Sequence, residues 1–78
     1  MRYQIIFTDG DLHATRHTLG EAKTIREAGA MVRAHVAKHK NGHHLLAAEI
    51  EPDNSGADIM YQIGRSIMRH YIINQLSN

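Results

Sequence analysis

The dipeptide Asp9-Gly10 lies between two runs that alternate apolar and polar residues, and no other feature constrains the start of the chain as strongly. Asp-Gly favours a type I′ turn, because both central residues of that turn need positive φ. A tight turn there pairs Phe7 with Leu12, Ile5 with Ala14 and Tyr3 with Arg16 on one face. Ile6 with His13, Gln4 with Thr15 and Arg2 with His17 then share the other. One face comes out apolar and the other polar, so alternation and turn chemistry predict the same hairpin.

Beyond the hairpin the period changes. Thr18-Leu19-Gly20-Glu21 has the form of a capping box, in which a Thr hydroxyl and a Glu three residues later satisfy the first amides of a helix. The spacing predicts a helix from there to about Lys40, stopped at Asn41-Gly42, with Ile25, Ala28, Val32 and Val36 as its buried stripe. His44 to Glu51 alternates again and predicts a third strand, with Leu46, Ala48 and Ile50 inward and Pro52 as its stop. Gly56 to about Gln75 carries Met60, Ile63, Ile67 and Tyr71 at helical spacing and predicts a second helix. The expected fold class is therefore α+β, one domain over residues 1–78 with the order ββαβα. It would form two layers, a three-stranded antiparallel sheet in order 2-1-3 with two helices on one face.

Length sets what such a fold can do. Seventy-eight residues allow one small core, and without cysteine there is no disulfide scaffold, thiolate metal site or Cys nucleophile. The apolar runs are too short to span a bilayer and the first residues lack the apolar stretch of a signal peptide, so a cytoplasmic location is expected. No glycine-rich phosphate loop, nucleophile elbow or paired-carboxylate motif occurs. The expectation is a protein that is not an enzyme and takes no cofactor.

Three clusters remain as candidates. The histidine-rich stretch His35, His39, His43 and His44 has spacings that would let two imidazoles share a helix face and the others close a zinc or nickel site. The basic residues Lys23, Arg26, Arg33 and Lys40 would line one stripe of the first helix and could follow phosphates, which makes nucleic acid a second possible partner. The layout supports such a stripe, with six Lys or Arg and two acids between Leu12 and His44, then four acids and no base from Leu45 to Asp58. Third, Tyr71, Ile72, Ile73 and Leu76 would make the last turns of the second helix apolar all round, with Met68 beside them. A helix of that kind has to be covered on every side, which a chain this small does not provide. These five residues are the expected partner interface, with another protein or with a second copy in a homodimer.

Within Arg65-Ser66-Ile67-Met68-Arg69-His70, an Arg and a His with four residues between them resemble the Arg-x4-6-His signature of HEPN-type ribonucleases. The resemblance covers six residues and implies acid–base and phosphate roles for Arg65 and His70 in an all-helical domain, whereas this chain opens with strands. The leading expectation is a small interaction protein of the inhibitor, regulator or adaptor type, acting by occupying a partner's surface. Phage and mobile-element accessory proteins, anti-defence proteins among them, are often of this size and composition. The alternatives are the nucleic-acid module and a histidine-based metal-binding or ribonuclease-like protein.

Overall fold

The computed structural model describes residues 2–10 and 15–76. It contains five strands and one helix: β1 (Arg2–Asp9), β2 (His17–Ala22), α1 (Ile25–Val36), β3 (His43–Ile50), β4 (Gly56–Ile63) and β5 (Ile67–Leu76). All neighbouring strands are antiparallel and their order is β2-β1-β5-β4-β3. The last strand in sequence is therefore central. The single helix carries the chain from one edge of the sheet to the other, lying over β1, β2, β5 and β4. This corrects the expected three-stranded sheet with two helices, and the order 2-1-3 survives only in the adjacency of the first two strands.

The second helix is replaced by the β4–β5 hairpin, and the residues explain why. Ile59, Tyr61, Ile63, Ile67, Tyr71, Ile72 and Ile73 are β-branched or aromatic, the types that favour a pleated surface. Ala57, Tyr61, Ile63, Tyr71 and Ile73 alternate onto the helix-covered face, where all are buried. Gly64, at φ 60°, supplies the left-handed residue of the turn between them. Of the 3.6-residue stripe expected over this segment, Ile63, Ile67 and Tyr71 fall at even spacings on one face of the sheet and Met60 on the other.

The first hairpin forms, in a different register. Gly10 does not turn tightly; its N–H donates to the Met68 carbonyl at 2.9 Å and prolongs the β1–β5 pairing. Phe7 faces His17, Gln4 faces Glu21 and Tyr3 faces Ala22. The tight-turn register would place charged Arg16 beside buried Tyr3, whereas the observed one places Ala22 there, 4% exposed. The expected partners Leu12, His13 and Ala14 lie outside the described residues. Thr18 to Glu21 is strand, and the cap is one motif later: Thr24-Ile25-Arg26-Glu27, with the Glu27 N–H donating to Thr24 Oγ1 at 3.0 Å. Ala28, Val32 and Val36 form the buried stripe of α1, as the spacing predicts.

β3 occupies almost the predicted span, but at the far edge of the sheet, and every one of its residues is exposed. The other face of the sheet has no helix on it and carries Ile6, Met60 and Ile72 among polar Gln4, Thr8, Asp58 and Asn74. Among the described residues no helix is long and apolar enough to cross a membrane.

Candidate functional site

Two places gather chemistry-bearing side chains. The first lies at the C-terminal end of α1, where Arg69 of β5 is 5% exposed and forms a two-pronged ion pair with Asp9 of β1, its Nη2 donating to Oδ2 at 2.8 Å. Its Nη1 reaches His39 Nε2 at 2.7 Å and the Tyr71 hydroxyl at 3.3 Å. The Tyr71 oxygen accepts from Arg69, which leaves the hydroxyl proton for His35 Nδ1, 2.7 Å away. The guanidinium carbon lies 4.8 Å from the centre of the Phe7 ring, and that ring is packed between His17 and His35.

The cluster biases the charge states of Asp9, His35, Tyr71 and Arg69. Hydrogen bonding to Arg69, more than counters the burial that opposes it, so the Asp9 carboxyl is held below its ordinary range. Burial first, and then the Arg69 charge, lower the affinity of His35 for a proton, and burial raises the Tyr71 phenol. Arg69 is held still more firmly protonated, chiefly by Asp9. The guanidinium's donors are thus committed to the protein's own side chains, and among the described residues no buried side-chain polar atom lacks a partner. The cluster ties β1, β5 and the end of α1 together. Sequence reading missed it because Asp9 and Arg69 are sixty residues apart and meet only through the β1–β5 pairing.

The second place is the β3 edge. Leu45, Leu46 and Ile50 are 50%, 42% and 57% exposed, large apolar side chains on a strand that, among the described residues, has no neighbour on its outer side. Between β3 and α1 runs a groove of about 280 Å³, with Ala57, Ile59, Tyr61 and Ile73 lining it from the sheet and Leu45, Ala48 and Ile50 from β3. Its helical wall is Arg26, Gly29 and Arg33. The expected inward set on β3 changes phase halfway, because Leu46 is an extra residue: Leu45 faces Tyr61 and Ala47 faces Met60. Leu45, Ala48 and Ile50 consequently share the helix side. The run Leu45-Leu46-Ala47-Ala48, apolar at consecutive positions where a half-buried strand would alternate, was the signal for it.

The residues singled out from sequence fall as follows. Tyr71 and Ile73 are in the core, at 0% and 2% exposed, while Ile72, Leu76 and Met68 point to the helix-free face. The strand period divides the expected interface between two faces of the sheet, and the argument from a helix apolar all round no longer applies. Arg26 and Arg33 share the exposed rim of the groove; Lys23 precedes the helix cap and Lys40 lies in the turn after the helix, so the four do not form one helical stripe. His35 and His39 turn to the Arg69 cluster, whereas His43 packs edge-on against Tyr61 and His44 lies on β3. Among the described residues no group of three His, Asp or Glu is placed to hold a metal ion. Arg65 sits in the β4–β5 turn and His70 on the helix-free face, 3.6 Å from Asp58, so the helical geometry implied by the ribonuclease resemblance is absent. Compared with protein-family models, curated proteins and solved structures, the chain matches none.

Proposed function

We propose that this chain is a protein-binding module whose recognition surface is the open edge of β3 together with the adjoining apolar groove. It acts by occupying a polypeptide segment, not by turning over a substrate. The observation that carries the reading is the exposure of all eight residues of β3 together with its apolar content. A bare strand edge presents unpaired N–H and C=O groups that pair readily with another strand. Main-chain hydrogen bonds to that edge supply affinity in such complexes, and pockets for alternate side chains supply specificity. Here the pocket is the groove, and Arg26 and Arg33 on its rim favour a segment that brings acidic side chains next to apolar ones.

Selection of binders from a displayed library of extended peptides tests this. The selected peptides should be apolar with acidic flanks. In NMR spectra they should shift the β3 amides and the side chains of Ile59 and Ala57. Binders that map to the helix-free face, or a library that yields none acting on β3, would sink the reading.

A further inference from the structure

The geometry of β3 also identifies its occupant: we propose that a second copy of this chain docks there, antiparallel, about a two-fold axis passing between Leu46 and Ala47. This rests on the reading of β3 as the recognition edge and names the partner for it.

The direction of the peptide groups comes first. The Glu51 N–H donates to the Gly56 carbonyl and the Gly64 N–H donates to the Gly42 carbonyl, each at 3.0 Å, so Glu51 and Gly42 both face β4. In an antiparallel ladder the N–H and C=O of one residue point the same way, and successive residues alternate. Counting back from Glu51, Ile50 and Ala48 face outward; counting on from Gly42, His43 and Leu45 do. The extra residue at Leu46 changes the phase between the two halves. The outward-facing residues are thus His43, Leu45, Ala48 and Ile50, spaced by two, three and two positions.

That spacing reads the same in both directions. A regular strand offers outward groups at every second residue and matches one half of this edge only. A second β3 running antiparallel offers the same interrupted pattern and matches both halves. His43 then meets the second copy's Ile50, and Leu45 its Ala48, each pair repeated across the axis. These four residues also carry their side chains on the helix side, since they lie opposite Ile63, Tyr61, Ile59 and Ala57. Hydrogen-bonding pattern and side-chain face therefore agree on one register.

Charge selects the same arrangement. Histidines occupy the start of β3 and Glu49 its end, with Glu51 just beyond, so antiparallel pairing joins unlike ends and parallel pairing would stack acid on acid. In the proposed register His44 lies directly opposite the second copy's Glu49, twice, on the helix-free side. These are non-hydrogen-bonded positions, where facing Cα atoms approach to about 4.5 Å and side chains interact most closely. The product is one continuous ten-stranded sheet with both helices on the same side.

Sedimentation equilibrium on the full chain tests the assignment, using the wild type, Glu49→Lys, His44→Glu, an equimolar mixture of those two, and Ala48→Pro. The wild type should dimerise. Each charge variant alone should dimerise roughly tenfold more weakly, because His44→Glu sets carboxylates opposite one another at two symmetric places and Glu49→Lys removes both carboxylates that face His44. The mixture should regain the dimer, since every introduced charge then meets an opposite one. Ala48→Pro removes an outward N–H, leaves the β3–β4 ladder intact and should weaken the dimer at least tenfold. A wild type that stays monomeric to millimolar concentration, or a dimer indifferent to these changes, would overturn the second copy as occupant. If the wild type is monomeric and selected peptides still occupy β3, only the self-pairing falls; if neither occupies it, the module reading falls as well.

Discussion

Gly29 is the residue whose replacement best separates a groove that binds from one that is merely left over. It sits inside α1, on the wall facing β3, between Arg26 and Arg33. Its backbone is ordinary helix, so no left-handed conformation calls for glycine there. A Cβ at this position would meet nothing closer than Arg33 Nη1 at 3.4 Å, the far end of a flexible side chain. Glycine inside a helix is less stable than alanine by about 0.5–1 kcal/mol, so Gly29→Ala should stabilise the fold by that amount. For a chain of 78 residues, with unfolding entropy near 2.1 cal/mol/K per residue, the gain amounts to a rise of roughly 3–6 °C in Tm. The same methyl narrows the groove, and peptides selected on the wild type should bind about fivefold more weakly. Pairing through the outer edge of β3 should not change. Differential scanning calorimetry and peptide titration give both readings on one sample. If Tm falls, the fold itself requires the glycine and the reasoning about free space is refuted. If Tm rises and peptide affinity is unaltered, the groove is not part of the recognition surface.

Three further outcomes follow from the core and its polar cluster. Asp9→Asn leaves the nearly buried Arg69 guanidinium without its anion and should cost about 2–3 kcal/mol in urea unfolding, with part recovered when Arg69→Met is added. Stability should decline as pH drops below 6.5, the ordinary pKa of histidine, because the unfolded chain takes up a proton that burial makes folded His35 resist. That decline ends once the lowered folded pKa is passed, a second begins below 3.8 as unfolded Asp9 protonates ahead of the folded carboxylate, and His35→Gln should remove the first only. Finally, Ile73→Ala should destabilise by about 3 kcal/mol and Ile72→Ala by clearly less, since adjacent residues of a central strand face a filled core and an open face respectively.

How far the sequence discloses this arrangement depends on how local the determining interactions are. The stripe Ala28, Val32 and Val36 is legible because one helix face is set by residues three and four apart. The span of β3 is legible from Gly42 and Pro52 at its flanks. Thr18 and Thr24 carry equally good capping patterns, and the choice between them is made at long range, by Tyr3 needing Ala22 and not Arg16 beside it. The C-terminal segment reads as a helix because Ile72 and Ile73 are both apolar. A strand bonded on both sides, half-open on one face, produces the same run as a helix end needing cover, and the β-branched content is the better discriminator. The Asp9–Arg69 pair carries no local signature at all.

The open edge follows from simple dimensions. A twelve-residue helix is about 18 Å long and about 10 Å wide with its side chains, while five strands separated by about 4.8 Å span about 19 Å between the outermost axes. The helix runs along β1, from Ile25 near Tyr3 to His35 against Phe7, so only its width lies across the sheet and it cannot cover all five strands. It leaves part of that sheet face bare, and its position over β2, β1, β5 and β4 places the deficit at β3. Arg69, Asp9, His35 and His39 fix the C-terminal end of the helix over β1 and β5, so it cannot slide outward to close the groove. Among the described residues there is no second helix, and the middle of β3, Leu45 to Ala48, is apolar where a protected edge would carry Lys or Pro. In the proposed pairing, a second β3, placed about the axis that its 2-3-2 spacing defines, supplies the missing neighbour strand.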